Sequence, residues 1–200
     1  MTEKVPSSDL GTSQDSAWKK FWRAQKDNLI TLAIALVLAM GIRGFIAESR
    51  YIPSPSMVPT LYPGDRIVVE KLSYHFRAPK LGDVVVFYPP QVLQSAGYAG
   101  DQAFIKRVIA TPGQTVQVHQ GKVYVDQTPL AEDYIAESPA YEMPLVKVPE
   151  GMLFVMGDNR NNSNDSHMWG FLPERNVIGR ANFRFWPPGK AGGLQPAAVG

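Results

Sequence analysis

The sequence predicts a mostly β domain behind a single N-terminal transmembrane helix, and three observations carry that expectation. Beyond Ser49 the apolar residues come in short β-branched runs, not in long helical stripes. Seventeen Gly and seventeen Pro punctuate a chain of 200 residues, which suits many turns. One stretch stands apart: Leu29 to Ile42, "LITLAIALVLAMGI", carries no charge and follows a basic, aromatic flank.

Bulk composition narrows the rest. Hydrophobic residues make up 44% of the chain, enough for one sizeable core with attachments. The net charge is +2 with no Lys/Arg block, so nucleic acid is not an expected partner. Cysteine is absent, which removes disulfides and thiolate metal sites. No metal-ligand spacing and no Gly-rich phosphate loop occurs, so no metal and no cofactor is expected.

Residues 1–15 are polar and aperiodic, the pattern of a disordered tail. Residues 16–27 interleave Lys19, Lys20, Arg23 and Lys26 with Trp18, Phe21 and Trp22, as a flank at a membrane surface does. The apolar run that follows has 14 residues, short of the ~20 of a typical spanning helix. A buried core helix leaves the basic flank unexplained. A cleavable secretory signal and an uncleaved anchor both fit, and the anchor is taken as residues 28–48, with Arg43 snorkelling. Either choice keeps the N-terminus cytoplasmic and exports everything after it.

A domain over residues 49–186 follows. Its expected strands are Arg66–Glu70, Asp83–Tyr88, Phe104–Ala110, Thr115–His119, Lys122–Val125, Met152–Met156 and Val177–Trp186. Gln120-Gly121 reads as the turn of a hairpin. Residues 187–200 read as a flexible Gly/Pro/Ala tail.

Three stretches carry chemistry. In "PSPSM", Pro53–Met57, extended geometry would point Ser54 and Ser56 to one face, and Ser56 keeps an N–H that Pro55 lacks. That combination offers a nucleophile with two donors for an oxyanion, although a polyproline linker would also explain the prolines. In "FIKRVIA" each face of the strand is apolar except for one cation, Lys106 or Arg107. Lysine can lose its charge when desolvated and then act as a base, or it can sit at a sheet edge with its head in water; the strand alone leaves both open. "GDNRNNSNDSH", Gly157–His167, is rich in turn formers and in small polar groups that could orient a base.

Together these stretches resemble the type I signal peptidases. The matching residues are "PSPSMVPTLYPGD", "GDVVVF", "KRVIATPG" and "GDNRNNSNDS", in the order of that family and downstream of the apolar segment. The resemblance implies a β-rich catalytic domain with a Ser/Lys dyad that removes signal peptides from exported precursors at a lipid bilayer, the cell membrane or a thylakoid. It places the nucleophile at Ser56, the general base at Lys106, an oxyanion donor at Ser54 and a lysine-orienting hydroxyl at Ser163. It gives supporting roles to Asp158 and Asp165, and it puts shallow apolar pockets on or beside Ile52, Pro53, Met57, Phe104 and Ile105.

Four departures stand out. Pro55 replaces a frequent Gly, Gln114 a usual aspartate, and His167 a frequent arginine, so pairing with Asp165 becomes pH-dependent. Residues 126–150 are too short for much of the extra β-region of larger members. Ser56 follows Ala47 by nine positions, at most about 30 Å of extended chain, so it must work near the membrane. Two rivals are weaker. Self-cleaving repressors with a Ser/Lys pair are soluble and carry a DNA-binding domain, while a membrane-anchored binding module leaves the order of the motifs to coincidence.

Overall fold

The computed structural model describes residues 12–41 and 46–194. They fall in two compact units, an N-terminal one and a larger one from Phe45 onward. The first unit is helix α1, Thr12–Gly41. Its large apolar side chains, Leu29, Ile30, Leu32, Ile34, Leu36, Val37, Leu38 and Met40, are all exposed. Among the described residues no helix is long and apolar enough to cross a membrane. Positions 42–45 of the expected anchor, and 1–11 of the expected tail, lie outside the described residues. Thr12–Asp15, expected to be disordered, belong to α1.

The larger unit is mostly β, as the short apolar runs imply. Its strands are β1 (Ala47–Tyr51), β2 (Arg66–Glu70), β3 (Val84–Phe87), β4 (Phe104–Ala110), β5 (Thr115–His119) and β6 (Lys122–Val125). They continue as β7 (Thr128–Pro129), β8 (Met143–Lys147), β9 (Met152–Met156), β10 (Leu172–Pro173), β11 (Val177–Trp186) and β12 (Gly192–Gly193). Single-turn helices α2 (Ser73–Phe76), α3 (Gln91–Ser95) and α4 (Ser166–Trp169) sit in the connections. One sheet has eight strands, ordered β1-β2-β11-β3-β4-β9-β10 with β12 against β11; the other has four, ordered β7-β6-β5-β8. Among the described residues every strand pair is antiparallel, as hairpins and long returns between neighbours require.

Local chemistry explains the register. Gln120 and Gly121 both take positive φ, 50° and 71°, and this primed turn matches the strand twist and pairs His119 with Lys122. Three apolar clusters form the core. Ile52, Met57, Leu61, Ile67, Val69, Val86 and Ile105 pack under β1, β2 and the start of β4. Ile109, Val116, Val118, Val123, Phe154 and Met156 join the small sheet to β4 and β9. Val85, Phe87, Val108, Leu153, Val155 and Leu172 fill a third cluster.

Several expectations need correction. The strand β1 takes up Ala47 and Glu48, assigned above to the end of the apolar segment. Glu48 pairs with Arg50 at 2.6 Å and Lys71 at 2.7 Å, partners that a chain in hydrocarbon would lack. Two strands not read from the sequence, β7 and β8, lie in the stretch 126–150, and β8 closes the edge of the small sheet through Thr115–Lys147 and Val116–Val146 pairing. Residues 187–194 are ordered as well: Gly192–Gly193 pair with β11, and Leu194 is buried in the first cluster. Strand pairing, the Arg184 bond to the Lys190 carbonyl at 2.7 Å and the buried Leu194 together dock this segment. Positions 195–200 lie outside the described residues.

Candidate active site

Ser54 is extended, φ −123° and ψ 155°, and Pro55–Met57 form one 3-10 turn closed by the Val58 N–H on the Pro55 carbonyl at 3.1 Å. Proline pre-sets the φ that such a turn needs. The geometry therefore differs from the fully extended pair expected above, yet the two hydroxyls still meet, Ser54 Oγ lying 3.2 Å from Ser56 Oγ. Met57 anchors the turn: it is fully buried and its carbonyl accepts the Leu61 N–H at 2.8 Å.

Lys106 comes from the middle of β4, where Val85 lies opposite on β3. Its Nζ donates to Ser56 Oγ at 2.7 Å, and the side chain is only 4% exposed. Burial lowers its pKa to about 8, against the opposing pull of Asp165 and then Asp158. The sheet-edge alternative is thus excluded by position, because β4 is flanked by β3 on one side and β9 on the other. In the neutral amine the same contact accepts the serine proton.

The loop from Gly157 to Asp165 clasps the serine turn. Asn159 donates its backbone N–H to the Ser56 carbonyl at 3.0 Å and its side-chain amide to the Pro55 carbonyl at 3.2 Å. Gly157 permits this approach, because a Cβ there would lie 2.4 Å from the Ser56 carbonyl and 2.3 Å from Ser163 Oγ. Asp165, fully buried, holds the loop by accepting the Gly157 N–H at 2.8 Å, and it also caps α4 through the His167 N–H. The His167 ring nitrogen lies 2.7 Å from Asp165 and its ring stacks on Tyr141 at 4.2 Å.

Asp158 faces the other way. It accepts two bonds from Arg107, at 2.8 and 2.7 Å, and one from Thr60 at 2.5 Å, with Arg107 and Asp158 both buried. Arg107 also lies over the Tyr134 ring at 4.2 Å. Arg160 is buried too, bonded to the Gly157 carbonyl at 3.0 Å and to Glu132 at 2.6 Å. Thr60, Arg107, Tyr134 and Arg160 were missed as parts of the site. A cation on each face of an otherwise apolar strand signals one buried ion pair, but nothing in the sequence names its partner.

Two residues do not take the places expected for them. Ser163 makes no hydrogen bond to Lys106; its hydroxyl is buried against Gly157 and has no hydrogen-bond partner among the described residues. Met57 lies in the core beneath the pocket and does not line it. Ile52, Pro53, Phe104 and Ile105 do line a cavity of about 150 Å³, together with Tyr51, Ile67, Val86 and Ala103. No group of residues that could hold a metal ion occurs among the described residues.

Residues 25–186 match a family model described as signal peptidase, peptidase S26. The chain belongs to the signal peptidase family. Among its relatives, a probable signal peptidase I-1 of Synechocystis sp. is 60% identical over 181 residues, 90% of this chain and 92% of that one. A signal peptidase I of Leptolyngbya laminosa is 48% identical over 195 residues, 98% of this chain and 94% of that one. A probable thylakoidal processing peptidase 2 of Arabidopsis thaliana is 44% identical over 188 residues, 94% of this chain and 51% of that one. Among solved structures, a signal peptidase I from Enterococcus faecalis matches with a TM-score of 0.44 and 31% identity, covering 52% of this chain and 97% of that one. Membership in the signal peptidases agrees with the family resemblance drawn from the four motifs, and it makes this chain a signal-peptide-processing protease.

Proposed function

We propose that Ser56 and Lys106 are the dyad of a membrane-bound serine endopeptidase that cuts N-terminal signal peptides after small residues, at sites of the Ala-x-Ala type. The observation that carries the proposal is the 2.7 Å contact between the Ser56 hydroxyl and a buried Lys106 amine whose pKa is lowered to about 8. About a tenth of the amine is then neutral at pH 7 and about half at pH 8, where an ordinary lysine has almost none.

Chemistry follows from the geometry. Ser56 Oγ attacks the scissile carbonyl carbon while its proton passes to Lys106 Nζ. The Ser54 hydroxyl, 3.2 Å from Ser56 Oγ, and the Ser56 N–H supply donors for the oxyanion. Collapse of this adduct breaks the C–N bond, and the departing amine takes the proton from Lys106. Water then attacks the Ser56 ester with Lys106 again as base, freeing the signal peptide as an acid and restoring the serine. Asp165 works through the loop: by holding the Gly157 N–H it keeps Gly157 against the Ser56 carbonyl. The roles of Ser163, Asp158 and Asp165 are supporting ones on this reading, Ser163 reaching the lysine once substrate orders the site.

The cavity formed by Ile52, Pro53, Phe104 and Ile105 has room for a small side chain and no charge to meet an ionised one except Arg50 at its rim. The membrane enters through α1, whose apolar side chains are exposed on all sides, behind the basic flank that keeps the N-terminus cytoplasmic. The bilayer is the cell membrane or a thylakoid, with the catalytic unit on the exported side.

The test is cleavage of a precursor with an Ala-x-Ala site by detergent-solubilised protein. Ser56→Ala and Lys106→Ala should each abolish it, whereas Phe or Lys just before the cut should block wild-type turnover. Activity retained by Lys106→Ala, or equal turnover of the Phe and Lys substrates, would overturn the reading. Alkaline washing of membranes tests the anchor separately: full-length protein should stay in the pellet, and its release would remove the anchor.

A further inference from the structure

One wall of the small-side-chain pocket is held from outside the pocket. Phe104 lines the cavity of about 150 Å³ beside Ile52, Pro53 and Ile105. It lies two positions before Lys106 on β4, so the two side chains leave the same face of the strand, about 7 Å apart. Whatever fixes the Phe104 ring therefore fixes a surface next to the dyad. Among the described residues two rings meet it. Phe87, fully buried, stacks on it at 6.0 Å, and Tyr98 packs edge-on at 5.3 Å. Phe87 is a core residue, whereas Tyr98 comes from the connection between β3 and β4 and does not line the cavity.

That connection is built to deliver Tyr98. Leu93 of α3 is buried and pins the segment to the domain. The Asn176 amide donates to the Tyr88 and Pro89 carbonyls at 3.1 and 3.2 Å, and the Gln94 amide to the Pro89 carbonyl at 2.9 Å. Gly97 takes φ 100°, a left-handed value that turns the chain back, and the Tyr98 N–H then reaches the Leu93 carbonyl at 3.2 Å. At the far end of the side chain, the Tyr98 hydroxyl accepts from the Asn164 amide at 3.3 Å. Tyr98 itself stays half-buried and adds little to the core. Its ring contact is with Phe104.

We infer that Tyr98 is a positioning residue for substrate selection, holding the Phe104 ring as the wall that keeps bulky residues out of the position just before the cut. The inference rests on the proteolytic reading above. Phe104 has few rotamers to choose from, and an edge-on ring neighbour biases that choice several-fold. Without the Tyr98 ring Phe104 gains room to turn, and the cavity widens.

The experiment uses full-length protein in detergent and two precursor peptides that differ only in Ala or Leu just before the cut. Wild type should favour the Ala peptide. Tyr98→Ala should lower the Ala-over-Leu ratio of kcat/KM by about fivefold or more, chiefly by raising turnover of the Leu peptide. Tyr98→Phe, which keeps the ring and loses only the Asn164 bond, should retain the wild-type ratio. Tyr98→Thr, suited to a half-exposed site, gives the same measurement should Tyr98→Ala fail to fold. A ratio unchanged in the ringless variants, even with both rates lowered, would overturn the inference, and so would an equal fall in Tyr98→Phe. If wild type cut neither peptide, the proteolytic reading would fail by itself. Binding of the two peptides to wild type and to Tyr98→Ala would then still decide the inference, through the same change in the Ala-over-Leu ratio.

Discussion

Replacing Lys106 by Met should remove activity and, at neutral pH, make the protein more stable. The structure supplies the magnitude. The amine is buried, and its pKa is lowered from 10.5 to about 8 mainly by burial, with Asp165 and Asp158 opposing. At ~1.4 kcal/mol per pKa unit, the folded protein carries a penalty of about 3 kcal/mol for keeping that lysine charged. The sign follows from proton binding. Between about pH 8 and 10.5 the unfolded chain holds a proton that the folded chain has lost, so wild-type stability rises with pH across this window. Below about pH 8 the whole penalty applies. Lys106→Met, apolar and similar in length, should therefore be about 3 kcal/mol more stable than wild type at pH 7, with the gap closing toward pH 10.5. Urea unfolding of both proteins in the same detergent at several pH values measures it. The kinetic counterpart is a wild-type rate that rises roughly fivefold from pH 7 to 8 and levels off by about pH 9, as the neutral amine fills in. A variant less stable than wild type at pH 7, or a rate still climbing at pH 10, would refute a buried, neutralised base.

Further outcomes are expected at neighbouring residues. Ser54→Ala should lower kcat about a hundredfold or more, with KM little changed, because one oxyanion donor is lost and the Ser56 N–H remains; an unchanged kcat takes Ser54 out of the oxyanion hole. Gly157→Ala should abolish cleavage, since the new methyl would meet the Ser56 carbonyl at 2.4 Å, and a fully active variant would mean that the loop does not position the serine. Asp158→Asn should lower stability by about 3–5 kcal/mol in urea unfolding, because it leaves Arg107 charged and buried beside a neutral amide. A stability within 1 kcal/mol of wild type, on the order expected of an exposed pair, would show that Arg107 finds another partner.

Period-two apolar patterning and turn chemistry act over a few residues, and that is why seven strands and the Gln120-Gly121 hairpin were legible in the sequence. Strands β2, β4, β5, β6, β9 and β11 coincide with the segments read from it. Strands β1 and β8 were not legible: Glu48, Arg50 and Lys147 make their patterns polar, and only pairing with β2 and β5 extends them. The serine and lysine could be named because their motifs recur in order, but their meeting could not be read from spacing, since 50 positions separate them. Tertiary structure alone decided that Lys106 is buried and Arg107 paired with Asp158, because which cation of "FIKRVIA" faces which cluster depends on strands far along the chain. It likewise put Met57 in the core rather than in the pocket, and left the Ser163 hydroxyl without a hydrogen-bond partner among the described residues. Sequence by itself determined the local conformations and the residue types available for chemistry. Burial, and with it the lowered pKa that turns a lysine into a base, is a property of long-range packing and belongs to the fold.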